Sequence, residues 1–216
     1  EIDPKSAMFR SYEQPEPLLQ AAMTFAPKNA EARALLGRVR FLQSKDDEAA
    51  KLFAEARRLN ADDAMLALFE GDLAYVRREF AKAERSYRAA ISKADERPAT
   101  RYRAIRHLGL ALEAQGRGRE YGAVAEAQLR LHPEMWDLRL DYADDLLDRS
   151  GSAADAMAVL TPIPKTWHSE RMPLVLTRVQ LQRVTEAPPA ARADLAKRWE
   201  ATTFDTEAIG KALCMA

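Results

Sequence analysis

A small residue returns along this chain at nearly fixed intervals: Gly37, Gly71, Gly109 and Ala143. The intervals are 34, 38 and 34 residues. A period between about 20 and 50 residues marks a stacked-repeat array, in which no unit can bury its apolar face alone. Such a period constrains the fold more than any single motif. It also places function on surfaces that neighbouring units share.

Aligning the small-residue positions brings the rest into register. The first complete unit runs over about residues 30–63. Its first helix, Ala30–Gln43, carries Leu36, Gly37 and Phe41, and a polar turn, Ser44-Lys45-Asp46-Asp47, leads to a second helix with Ala49, Phe53 and Ala56. Leu59-Asn60-Ala61-Asp62-Asp63 then stops one helix and caps the next. The second unit, about 64–97, repeats the pattern with Gly71, Tyr75, Ala83, Tyr87 and Ala90. Glycine or alanine at the crossing lets two helix backbones approach, and Phe53 or Tyr87 fills the space above it. The third unit (about 102–135) carries Leu108, Gly109 and Pro133, with Tyr121 and Ala125 exchanged in size relative to the pattern. The fourth (about 136–166) begins at Trp136 and closes near Pro162-Ile163-Pro164.

Continuing the period predicts a fifth small-residue position at Thr177, in a helix with Met172, Val175, Leu176, Val179 and Leu181. Its partner is expected at Ala190–Trp199, after Pro188-Pro189, which completes a fifth unit over about 170–201. A short terminal helix within 203–216 is expected to cover the end. Running backwards, Pro27 and a helix over Leu18–Ala26 make 1–29 a partial repeat. The four extra residues before Gly109 fall around Lys93–Thr100 and are expected to lengthen a surface loop.

The motif Leu36-Gly37…Ala49…Phe53…Ala56, repeated as Gly71…Ala83…Tyr87…Ala90, resembles the tetratricopeptide repeat (TPR) family, whose unit is 34 residues of helix–turn–helix. The resemblance implies an all-α, TPR-like α-solenoid of about five antiparallel helix pairs, forming a single domain over 1–216 with a partial repeat at its start and a capping helix at its end.

Composition agrees and excludes several classes. The chain is rich in helix-forming Ala, Leu, Arg and Glu, and alternating strand-like runs are absent. Lys and Arg total 33 and Asp and Glu total 33, so no global field attracts nucleic acid. No run approaches the ~18 apolar residues of a membrane span. Cys214 is the one cysteine, which precludes an internal disulfide and is compatible with cytoplasm or periplasm. The Ala and Arg content suggests a GC-rich bacterial source. The chain opens on Glu1, which leads to the expectation that an initial segment has been removed, with a lean towards the cell envelope.

Chemistry is sparse. His132 precedes Pro133 at a closing turn, His168 is expected at a helix start capped by Ser169, and only His107 is mid-helix. None has a neighbour at metal-ligand or triad spacing, so no catalytic residue, metal or cofactor is expected. Gly116-Arg117-Gly118-Arg119 lacks the Gly-Lys-Ser/Thr ending of a phosphate loop and falls at a turn. In TPR arrays the first helices line a groove that holds a partner segment. That register implies a groove lined by Arg38, Phe41, Leu68, Asp72, Tyr75, Arg103, Arg106, Leu110, Leu140, Asp144, Leu147 and Arg178. This is an apolar seam edged by alternating charge, suited to an amphipathic peptide rather than a polyanion. The expected function is a non-catalytic scaffold or assembly factor that binds a protein or peptide. The alternatives are an accessory domain of a larger enzyme or envelope system, and a self-associating structural repeat.

Overall fold

The computed structural model describes residues 15–60 and 62–192. The chain divides into two compact units, Glu1–Gly118 and Arg119–Ala216. All regular structure among the described residues is helical.

The first unit contains α1 (Pro15–Phe25), α2 (Ala30–Leu42), α3 (Asp46–Leu59), α4 (Ala64–Val76), α5 (Phe80–Lys93) and α6 (Pro98–Ala114). The helix starts have local causes. Asn29 caps α2 by accepting a bond from the Ala32 amide at 2.9 Å, and Asp63 caps α4 by accepting from Leu66 at 2.7 Å. Helices α2 and α3 pair, as do α4 and α5, and α4 lies against both α2 and α6. Helix α4 is therefore apolar on most of its circumference, burying Leu66, Leu68, Phe69 and Leu73 among others. Helix α1 sits at the edge of the unit with Leu18 and Phe25 exposed, tied to α2 by Arg40, which grips both oxygens of Glu16 at 2.6 and 2.7 Å.

The glycines at the repeat positions have a steric cause. A Cβ on Gly37 would lie 2.5 Å from Cε1 of Phe53, and one on Gly71 would lie 2.5 Å from Cε1 of Tyr87. Both are well inside carbon–carbon contact, so the aromatic ring of each second helix occupies the space that a side chain would need. Burying each ring stabilises the pair by about 1.5–3 kcal/mol.

The extra residues of the third repeat are not loop. The α5–α6 connection, 94–97, is as short as the α3–α4 connection, 60–63. Instead α6 has 17 residues where α2 and α4 each have 13. Four residues are close to one turn of helix, so the insertion lengthens α6 at its start and leaves the face at Gly109 nearly in register. Pro98 opens this added turn, where its missing amide hydrogen costs nothing. Arg101 within it is buried and bonded to Asp95 at 2.9 Å.

The second unit contains α7 (Glu120–Leu131), α8 (Trp136–Ser150), α9 (Ala153–Leu160) and α10 (Met172–Glu186). Its core gathers Leu140, Ala143, Leu147, Ala156, Leu160, Val175 and Val179. Gly151 ends α8 in the left-handed conformation (φ 63°), and Ser152 caps α9 through the Asp155 amide at 3.2 Å. Ser169 accepts from the Arg171 amide at 3.3 Å in the turn before α10, rather than capping a helix that starts beside His168. Helix α10 begins at Met172 with Pro173 in its first turn, two residues later than a helix capped by Ser169 would. Residues 189–192 open a further helical turn, while the remainder of the expected Ala190–Trp199 helix and the terminal helix lie outside the described residues.

Candidate functional site

In the first unit the first-helix face is built by α2, α4 and α6. Its centre is a buried carboxylate. Asp72, only 6% exposed, accepts from Arg38 Nη1 at 2.7 Å on Oδ2, and from the Tyr87 hydroxyl at 3.1 Å on Oδ1. Nδ1 of His107 lies 2.7 Å from the same Oδ1 and donates in the tautomer this pairing requires. Four helices thus meet on one side chain. Burial pushes the Tyr87 hydroxyl far up from its ordinary range, and the Asp72 charge beside it adds to the shift. The Arg38 guanidinium also lies over two rings, 5.0 Å from the centre of Phe41 and 5.3 Å from that of Phe69.

Around this node the expected groove residues separate. Leu68 is 1% exposed and belongs to the core. Asp72 is sealed and its charge is met by Arg38. Phe41 and Tyr75 remain half-buried, with Tyr75 packed edge-on to Phe80 at 5.5 Å. Leu110 is 48% exposed, and Arg103 and Arg106 are exposed, Arg106 over the Tyr102 ring at 5.8 Å. What this face leaves to solvent is Leu110, the half-buried rings of Phe41 and Tyr75, and the side chains of Arg103 and Arg106 on α6.

In the second unit α8 and α10 face each other through ion pairs. Arg178 reaches Asp144 at 2.7 Å and also binds Asp148, while Arg171 reaches Asp141 at 2.5 Å. Burial pushes the Asp144 carboxyl above its ordinary value, against the pull of Arg178 and Arg171. Leu140 at 0% and Leu147 at 9% exposure sit in the core. Here too the leucines expected on the groove serve packing, because the inward side of a first helix must fill the contact with its own second helix before it can face a ligand.

The sequence reading missed the partners of His107 and of the repeat charges. The missing carboxylate for His107 is Asp72, 35 residues earlier, and the pairs Arg38–Asp72 and Asp144–Arg178 are each 34 residues apart. One repeat length is the distance between neighbouring first helices, so the period itself was the signal. Glu84 was also missed: nearly buried on α5, it binds Arg88, Gln115 at 2.9 Å and Arg117 at 2.8 Å. This ties Arg117 of the Gly-rich turn to α5 as a structural group. Among the described residues no group of three or more His, Cys, Asp or Glu gathers to hold a metal, and no helix is long and apolar enough to cross a membrane.

No family model matches the chain, and no curated protein is similar to it in sequence. Solved structures are similar in fold. PilF of Pseudomonas aeruginosa aligns over 95% of this chain and 90% of its own, with a TM-score of 0.61 and 19% identity. YrrB, described as a TPR protein with an unusual peptide-binding site, aligns over 90% and 96%, with a TM-score of 0.57 and 11% identity. MamA aligns over 75% and 92%, with a TM-score of 0.52 and 15% identity. These likenesses show the fold of the chain, an all-α, TPR-like arrangement of repeated helix pairs.

Proposed function

We propose that the chain is a non-catalytic interaction scaffold that holds a segment of another protein on the first-helix face of its first unit. The observation that carries this reading is that the face of α2, α4 and α6 leaves Leu110 exposed and Phe41 and Tyr75 half-buried around the Arg38–Asp72 pair. Most of the surrounding charge is already neutralised within the protein, so a partner gains by covering apolar surface at little desolvation cost. Leu110 is 48% exposed, so covering the remainder contributes about half of the full value for a leucine, roughly 1 kcal/mol. The face stands on packed helices, so little ordering entropy opposes binding. YrrB supports the reading by putting this fold to peptide binding. The Asp72–His107 pair is read as structural, because both Asp72 oxygens are occupied by Arg38, Tyr87 and His107.

The test is selection of peptides from a displayed library, followed by capture with Leu110→Asp and Tyr75→Ser variants whose helicity is checked by circular dichroism. Loss of capture by both folded variants is expected. Undiminished capture by both would end the reading.

A further inference from the structure

Among the described residues, Glu31 and Arg103 on this face carry opposite charges that meet no counter-ion. Resting on the reading above, we propose that the segment held there is an extended stretch crossing α2, α4 and α6. It carries a Lys or Arg and an Asp or Glu six residues apart, with apolar side chains between them.

The repeat register brings the two charges into one row. Glu31 on α2, Met65 on α4 and Arg103 on α6 each lie six residues before the small residue of their repeat, Gly37, Gly71 or Gly109. Glu31 and Arg103 are exposed and Met65 is half-buried. About two turns further along α2 and α4, by contrast, Arg38 and Asp72 neutralise each other at 2.7 Å. From α2 to α6 the row therefore reads negative, apolar, positive. A segment with the opposite charges in that order is complementary to it, which fixes its direction across the helices.

Helix spacing sets the separation of those charges. Helix α4 lies against both α2 and α6, and packed helices stand about 8–10 Å apart, so the row spans about 16–20 Å. An extended chain rises about 3.1–3.3 Å per residue, and its side chains return to one side every second or third residue. Six residues satisfy both periods and cover about 19–20 Å. The residues between face Met65 on one side and Leu110 on the other, about 10 Å along α6 from Arg103. A helix would need about 11–13 residues for the same span. It would also have to bury an apolar stripe of about three or four residues every two turns, where this face offers Met65, Leu110 and two half-buried rings. A polyanion fits poorly, because Glu31 repels it at one end of the row and the chain has no net charge.

The test is a displayed library of linear peptides, panned on the wild-type chain, on Glu31→Lys/Arg103→Glu and on Leu110→Asp, with helicity checked by circular dichroism. Wild type is expected to enrich a basic and an acidic residue six apart, in one fixed order. The double charge swap should enrich the same spacing with the order reversed. Each single swap, Glu31→Lys or Arg103→Glu, should weaken a synthetic copy of the wild-type peptide about fivefold, the scale of an exposed ion pair. Salt at about 0.5 M should weaken it as well, since screening acts on exposed charges. Peptides that need Leu110 but carry no charge pair, or whose charges stand 11–13 residues apart as a helix of this span requires, would overturn the inference and leave the interaction reading intact. An order of charges unchanged by the double swap would overturn it too. A library yielding nothing dependent on Leu110 would overturn both.

Discussion

The contact between Gly71 and Tyr87 tests the repeat packing directly, because two effects of known size oppose each other there. Gly71→Ala in a helix interior gains about 1 kcal/mol of helix propensity. Against this, the new Cβ meets Cε1 at 2.5 Å, Cδ1 at 2.6 Å and Cζ at 3.1 Å, so the ring must move by about 1 Å to restore contact near 3.5 Å. Overpacking of this kind costs about 1–3 kcal/mol. The ring cannot retreat without stretching the 3.1 Å bond from its hydroxyl to Asp72, a bond to a charged acceptor that contributes about 1.5–3 kcal/mol. The net expectation is a loss of about 2–4 kcal/mol. Gly37→Ala meets Phe53, whose ring has no hydroxyl to hold it, and is expected to lose no more than about 2 kcal/mol. In a Tyr87→Leu background Gly71→Ala should become neutral or stabilising, a coupling of about 3 kcal/mol. All three tryptophans, Trp136, Trp167 and Trp199, lie in Arg119–Ala216 and do not report on this contact. Hydrogen exchange of α4 and α5 amides, read by mass spectrometry, does. A Gly71→Ala chain as protected as wild type, or a cost unchanged by Tyr87→Leu, would refute the steric account.

Other expectations follow from single contacts. Asp72→Ala leaves Arg38, Tyr87 and His107 without their acceptor and should lose about 3–5 kcal/mol in urea unfolding, with Asp72→Asn losing about half of that. Burial raises the Glu84 carboxyl, but the hydrogen bonds from Gln115 and Arg117 and the charges of Arg88 and Arg117 more than offset it and hold it below 4.5. The unfolded chain therefore binds that proton at higher pH than the folded one, so the stabilisation is full above 4.5 and is lost as pH falls through the folded value. Glu84→Gln should be less stable than wild type at pH 7 and lose less on acidification, measured as melting temperature by circular dichroism from pH 7 to 3. Gly151→Ala forces alanine into φ 63° with a Cβ 3.2 Å from Nε2 of Gln182, and should cost about 1–2 kcal/mol in thermal unfolding.

The periodic residues by themselves determined the helix pairs. Gly37, Phe53, Gly71 and Tyr87 recur because steric fit between paired helices is local and repeats with the chain, so α2 (Ala30–Leu42) ends within a residue of the expected Ala30–Gln43 and the second unit repeats the helix pair as α4 and α5. Helix α10 around Thr177 was legible for the same reason, through Val175 and Val179. Tertiary structure decided what the period could not express. A four-residue insertion is indistinguishable, by length alone, from a longer loop; the tertiary structure places it as a turn of α6, with Arg101 buried and bonded to Asp95. Whether a first-helix residue faces its own second helix or the outside depends on about half a turn of rotation. That is why Leu68, Leu140 and Leu147 went to the core while Leu110 stayed out. Charge was least legible of all. Whether an inward Asp or Arg is available to a partner depends on which side chain lies one repeat away, and for Arg38, Asp72, Asp144 and Arg178 that neighbour is a counter-ion.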